Sequence, residues 1–143
     1  MHMKTVTLHR PNERFNKNIS YDIFIGKKKI TELKNGEEKV VEIPNEMNIG
    51  GLNAKIKSNG SNVLNLSELK ENEKIQIRGN DLLNRKLIWI VSILPITGVL
   101  IFAYGRESLI LKNIGTGLFF LILVFAFWGI IIAKNKWLKI EKL

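Results

Sequence analysis

Two stretches near the carboxyl end, Leu87 to Tyr104 and Ile114 to Ala133, contain no charged residue. As helices rising about 1.5 Å per residue they span roughly 27 and 30 Å, close to the thickness of the hydrocarbon core of a bilayer. Backbone polar groups inside lipid must be hydrogen-bonded within the protein, and two runs are too few to close a barrel, which leaves helix. A short polar connection at residues 105–113 joins them, so the pattern predicts a transmembrane α-helical hairpin. The chain before Leu87 is polar enough to sit in water. The expected organisation is a head at residues 1–80, a linker at 81–86, membrane helices at 87–104 and 114–133 with the loop 105–113 between them, and a basic tail at 134–143.

Composition narrows the chemistry of the head. The net charge of +9 is spread over both halves, with 16 Lys/Arg against 11 Asp/Glu up to Lys86 and 6 against 2 beyond it. Basic residues before Leu87 are interleaved with glutamates, as from Lys34 to Glu42, without the cationic face and stacking aromatics of a nucleic-acid interface. No nucleic-acid partner is expected. There is no cysteine, which removes disulfides, thiolate nucleophiles and thiolate metal ligands, and fits a reducing compartment. Residues 1–25 hold His2, Lys4, His9, Arg10, Glu13, Arg14 and Lys17 with no apolar core, so no cleavable export signal is expected there.

Orientation follows from Lys and Arg close to the ends of the spans. Arg85, Lys86, Lys134, Lys136, Lys139 and Lys142 flank the side shared by both termini, whereas the connecting loop offers Arg106 and Lys112. This bias predicts a multi-pass protein of the inner membrane with both termini in the cytoplasm. Trp89, Tyr104 and Trp137, together with Arg85, Lys86, Lys134 and Lys136, are the expected membrane-interface residues, because amphipathic rings and long cations favour the headgroup level. On the second span Ala126, Gly129 and Ala133 recur at helical spacing and form a small-residue packing stripe, with Ser92, Pro95 and Gly98 as the opposing surface on the first. Pro95 removes a backbone donor and is expected to kink the first helix.

From Thr5 to Arg78 the pattern is one of short alternating segments bounded by Gly, Asn and Pro. Strands are expected at 5–9, 21–25, 28–33, 39–43, 52–58, 62–66 and 74–78, each with one buried face: Val6 and Leu8, Tyr21, Ile23 and Ile25, Val41 and Ile43, Leu52, Ala54 and Ile56, Ile75 and Ile77. Asn35-Gly36 and Asn59-Gly60 have the chemistry of tight hairpin turns, and Gly26 that of a reversal after the second strand. Pro44 and Gly50-Gly51 predict a longer loop. The fold class expected is an all-β head, a small antiparallel β-sandwich of about seven strands, on the helical hairpin.

The run Tyr21-Asp22-Ile23-Phe24-Ile25-Gly26-Lys27-Lys28-Lys29-Ile30, followed by Leu33-Lys34-Asn35-Gly36-Glu37 and Val41-Glu42-Ile43-Pro44, resembles the strand, turn, strand, turn, strand, proline order of PEGA-like small bacterial β-sandwich domains. Leu52-Asn53-Ala54-Lys55-Ile56, Ser61-Asn62 and Glu71-Asn72-Glu73-Lys74-Ile75 extend the likeness, which covers residues 5 to 78. It implies a ligand-binding or surface-binding module without catalytic residues. The chain departs from that pattern at Asn45-Glu46-Met47, where a glycine turn is expected after the proline.

No motif for catalysis or a cofactor emerges. His2 and His9 lack a second ligand at metal-binding spacing. The Lys27, Lys28, Lys29 triplet after Gly26 lacks the remaining residues of a phosphate loop, and is expected to be a solvated turn or a contact for lipid headgroups or a partner. Paired carboxylates such as Glu37/Glu38 and Glu71/Glu73 fall in polar turns where nothing raises a pKa. The expectation is a non-catalytic, membrane-anchored interaction or adaptor module without metal or cofactor. Its partners are the bilayer and another membrane protein or a second copy, and it contacts them through the helix stripe, Lys27–Lys29 and the loop around Met47 to Gly51. The alternative is a holin-like or toxin-like membrane-active oligomer formed by the hairpin.

Overall fold

The computed structural model describes residues 3–44 and 50–143. The chain divides into two compact units. One comprises Met1–Asn80 together with Lys134–Leu143, and the other is Asp81–Ala133.

Among the described residues the first unit has nine strands: β1 (Met3–His9), β2 (Tyr21–Ile25), β3 (Lys28–Leu33), β4 (Glu38–Pro44), β5 (Gly51–Ile56), β6 (Asn59–Gly60), β7 (Leu64–Asn65), β8 (Glu73–Gly79) and β9 (Leu138–Lys142). They form two sheets, one in the order β4-β1-β8-β9 and the other β3-β2-β5-β6, with β7 also on β5. Pairing is antiparallel except between β1 and β8, where Leu8 lies opposite Ile75 in a parallel register. The expectation of a purely antiparallel arrangement is corrected there, because β1 and β8 are far apart in sequence and no tight turn dictates their direction.

Alternation decides which side chains are buried. Val6, Leu8, Tyr21, Ile23, Ile25, Leu52, Ala54, Ile56, Ile75 and Ile77 are all buried and belong to one cluster with Leu33, Ile43, Leu66 and Leu69. Each fully buried Leu or Ile contributes about 1.5–3 kcal/mol, more than the surface ion pairs that decorate the strands. Val41, expected inside, is half-buried at the margin of this cluster.

Two turns behave differently from their sequence reading. Asn35-Gly36 closes a turn in which the Glu37 N–H donates to the Lys34 carbonyl at 3.1 Å, with positive φ at Gly36 alone. It is a corner between sheets rather than a hairpin, since β3 and β4 belong to different sheets. Asn59-Gly60 is not a turn but strand β6, paired with Ile56 and Lys55. The reversal falls one step earlier, at Lys57 with φ of 53°, and only Leu64–Asn65 of the expected strand 62–66 is extended and paired. The loop expected between Pro44 and Gly51 falls, for residues 45–49, outside the described residues.

The largest departure lies at the carboxyl end. The expected basic tail 134–143 is instead a short helical turn followed by β9, which runs antiparallel to β8 from Ile75↔Lys142 to Gly79↔Leu138. Leu138 and Ile140 are buried with the core, and Trp137, expected at a membrane interface, packs half-buried against it.

The second unit holds two helical stretches, Leu82–Arg106 and Leu109–Ile132, each long and apolar enough to cross a membrane. Only 11% and 17% of their most apolar windows are buried, unlike core helices of a water-soluble fold, and Phe102 and Val124 are 76% and 69% exposed. The first stretch begins five residues before the expected boundary, so the linker 81–86 is helical. It contains α1 (Leu87–Val91) and α2 (Leu94–Phe102). They are separated at Ser92–Ile93, where Ile93 N–H reaches the Ile90 carbonyl in a tightened turn and Pro95 occupies the first turn of α2, a position that needs no N–H. The Ser92 hydroxyl donates to the Ile88 carbonyl at 2.8 Å. The second stretch begins with α3 (Leu109–Phe127), capped by Ser108, whose Oγ accepts from Leu111 N–H. This cap starts the helix well before Ile114, where the last charged residue had set the expected boundary.

Candidate functional site

The segment between β1 and β2, residues 10–20, has no regular structure, yet it is pinned by a buried polar network. Arg10 is fully buried. Its Nη1 donates to the carbonyls of Ile19 at 2.6 Å and Leu33 at 3.1 Å, and its Nη2 to the Asn16 carbonyl at 2.7 Å and to Glu13 Oε2 at 3.2 Å. The guanidinium carbon lies 3.5 Å from the centre of the Tyr21 ring. Glu13 accepts from the Tyr21 hydroxyl and, through its other oxygen, from the Gly79 N–H at the end of β8. Asn16 Nδ2 donates to the Tyr21 oxygen at 2.8 Å. Burial, and then the hydrogen bond to the Glu13 carboxylate, push the Tyr21 phenol well above its ordinary range. Sequence reasoning passed over Arg10 and Glu13, since their pairing depends on carbonyls supplied by residues distant in the chain.

This network defines one end of the β unit. Tyr21 begins β2, pairs with Leu33 and reaches Gly79, while the chain leaves the unit at Asn80 and re-enters at Lys134. The re-entry is tied down by the Asn80 N–H, which donates to the Trp137 carbonyl at 2.8 Å, and by Asn80 Nδ2, which donates to the Lys136 carbonyl at 2.9 Å. A groove of about 400 Å³ beside it is lined by Asn62, Asn80, Asn135, Lys136, Leu138 and Lys139 among others. Its Asn62 and Asn80 amides are engaged by backbone groups of the 136–140 segment.

The expected site residues are distributed unevenly. Lys27 lies in the turn between β2 and β3, at the opposite end of β2 from Tyr21, and Lys28 and Lys29 open β3. Lys29 pairs with Asp22 at 2.6 Å and Glu32 at 3.5 Å, and the Asp22 hydrogen bond raises its pKa. Arg85 pairs with Asp81 at 3.7 Å. Lys86, Lys134 and Lys136 are exposed, as are Trp89 and Tyr104.

In the helical unit a Cβ placed on Gly129 would lie 2.6 Å from Leu87 Cδ2, and Ala133 is buried. Ala126 is half-buried. The opposing surface differs from expectation: Gly98 has open space where its side chain would be, and Ser92 is exposed. The close approach falls instead at Gly115, where a Cβ would meet Leu100 Cβ at 2.9 Å and the Ile101 backbone nitrogen at 3.3 Å.

Among the described residues no group of three or more His, Asp or Glu side chains is placed to hold a metal ion. His9 ends β1, half-buried, with Nδ1 unpartnered. Glu37 accepts from the Lys34 backbone N–H and Glu38 from the Lys74 ammonium, and these bonds hold both carboxyls below their ordinary range, the reverse of what a general acid needs. Comparison with family models, curated proteins and solved structures yields no match to this chain.

Proposed function

We propose that this chain is a non-catalytic adaptor of the bacterial inner membrane. In this reading the two sheets pack as a small PEGA-like sandwich, the helices 82–106 and 109–132 cross the bilayer as a hairpin, and the β unit stays on the cytoplasmic side. Anchoring raises the local concentration of the head near other membrane proteins, so a modest affinity suffices for association.

The observation that carries the reading is the pairing of β9 with β8. A strand that precedes the first helix and a strand that follows the second are hydrogen-bonded neighbours. Whatever the helices traverse, the chain therefore leaves and returns on one side, which suits an even number of crossings. The excess of Lys and Arg at this end over the Arg106 and Lys112 loop favours the cytoplasm for that side.

Because the chain has no cysteine, single cysteines report topology directly. With Glu107→Cys and Lys70→Cys in whole cells, a membrane-impermeant maleimide is expected to label position 107, and to reach position 70 only after permeabilisation. Labelling of both positions in intact cells, or release of the protein by alkaline carbonate, overturns the topology. Photocrosslinkers on the exposed head are expected to trap a discrete adduct with another membrane protein. A ladder of self-adducts with collapse of the membrane potential on expression would instead favour the membrane-active oligomer.

A further inference from the structure

We propose that the end of the β unit formed by residues 10–20 docks on an anionic lipid surface, with Arg14, Phe15 and Lys17 as the contact and Lys57, Lys134 and Lys136 as flanking cations. The inference rests on the anchored reading above and adds to it a defined lipid-facing surface.

The loop is built to present these side chains. Glu13 and Asn16 are buried and hydrogen-bonded, and between them Arg14 and Phe15 are exposed, followed by exposed Lys17. With Arg10 holding the Asn16 and Ile19 carbonyls, the tip is ordered before it meets a surface, so little conformational entropy is lost on docking. Phe15 rests over Gly79, where a Cβ would come within 2.7 Å of its ring. That fixes the tip beside the point at which the chain departs towards the helices. Lys57 belongs to the same end, since it follows the β5 residues paired with β6, and Gly60 of β6 lies against Asn135.

Several cations at this end have no carboxylate within ion-pair distance. Among the described residues Lys29, Lys39, Lys74, Arg78 and Arg85 each have a carboxylate within ion-pair distance, whereas Arg14, Lys17, Lys57, Lys134 and Lys136 have none. The carboxylate inside the loop, Glu13, is buried and consumed by Arg10, Tyr21 and Gly79, and Glu37 and Glu38 of the neighbouring corner are paired with Lys39 and Lys74. The opposite end, where the Asn72 N–H meets the Thr5 carbonyl, carries Glu68, Glu71 and Glu73 among its cations, with the Lys4 and Lys142 ammonium groups held on the Leu66 and Glu68 carbonyls. A bilayer rich in anionic headgroups attracts such unpaired cations within a Debye length of about 8–10 Å, and an exposed aromatic beside them can enter the headgroup layer. The Lys27–Lys29 turn lies at the far end of β2, and Lys29 is already neutralised.

The test uses the full chain with a single cysteine at exposed Asn18 carrying an environment-sensitive fluorophore. The protein is reconstituted in vesicles of phosphatidylcholine alone or mixed with phosphatidylglycerol, and a Lys70→Cys label serves as the distal control. In phosphatidylglycerol the Asn18 probe is expected to shift to the blue and be quenched by lipid-borne quencher, reversibly with salt, while the distal probe stays unchanged. The Arg14→Gln, Lys17→Gln double variant is expected to lower the docked-to-undocked ratio about 25-fold, at about fivefold per cation, with an unchanged circular dichroism spectrum. Phe15→Ser is expected to reduce quenching while leaving the salt dependence. A probe indifferent to phosphatidylglycerol on protein that resists carbonate extraction overturns this proposal alone. Release by carbonate from both vesicle types overturns the anchored reading.

Discussion

The Asn62 side chain engages both backbone groups of Ile140, its Oδ1 accepting from the N–H at 2.9 Å and its Nδ2 donating to the carbonyl at 3.2 Å. One amide thus stands in for a neighbouring strand and holds β9 on its free edge, across 78 residues of sequence. With the bridge from Ser61 to Leu138, it secures the segment that follows the helices to the unit that precedes them.

Asn62→Ala is therefore expected to loosen β9 selectively. Two part-buried hydrogen bonds are lost, costing about 1–2 kcal/mol together. Amide exchange measured by mass spectrometry should rise across residues 138–142 and remain unchanged across β2 and β3. Uniform exchange throughout the unit would show that Asn62 has no special hold on β9.

Removing the Glu13 carboxylate should be among the most damaging single changes in the β unit. Glu13→Ala leaves the buried Arg10 without its counter-charge and the Gly79 N–H without an acceptor, a loss of about 3–5 kcal/mol. Chemical denaturation in detergent measures this against Arg14→Ala, one residue away and exposed, for which a change within about 0.5 kcal/mol is expected.

Tyr21 links stability to alkaline pH. Its phenol is raised from an ordinary value of 10.0, so above that pH the unfolded chain releases a proton that the folded chain retains, and fewer protons are bound unfolded than folded. Stability from this group is complete below pH 10.0 and declines as pH rises beyond it. Tyr21→Phe is expected to be less stable at neutral pH by about 1–2 kcal/mol, through loss of the hydrogen bond to a charged acceptor, and to show a shallower decline above pH 10.0. Parallel slopes for the two proteins in thermal melts against pH would refute the linkage.

Three glycines of the helical unit should respond differently to alanine. Gly115→Ala places a methyl against the Ile101 backbone, which cannot rotate away, and overpacking of this kind costs about 1–3 kcal/mol. Gly129→Ala meets the flexible end of Leu87, and a companion Leu87→Ala is expected to relieve the clash. Gly98→Ala meets nothing and should be neutral or slightly stabilising through helix propensity. Unfolding in mixed micelles ranks the three, and a cost at Gly98 equal to that at Gly115 would contradict the observed packing.

Much of the architecture could be read locally. Period-two alternation marked the buried faces of β1, β2, β5 and β8, and the uncharged runs marked both helical stretches, because periodicity and apolar length are properties of contiguous residues. The same signal is present in Leu138 and Ile140 of β9, where the abundance of lysine led instead to a tail. The small-residue reading picked out Gly98 and passed over Gly115, because which glycine faces the other helix depends on its rotation.

What the sequence determined alone is therefore most of the inventory: the half-buried faces of β1, β2, β5 and β8, the turn residues Gly26 and Asn35-Gly36, and two apolar segments of membrane-spanning length. The tertiary structure decided the partnerships. Asn35-Gly36 has turn chemistry whether the next strand stays in the sheet or leaves it, and only competition among distant edges assigned β4 to β1. Arg10 is an exposed cation by residue type, and becomes a buried one because carbonyls of Asn16, Ile19 and Leu33 converge with Glu13 around it. Local preferences are set by a few neighbouring dihedral angles and side chains, whereas pairing, burial of charge and helix rotation are set by free-energy differences among long-range contacts that no short segment contains.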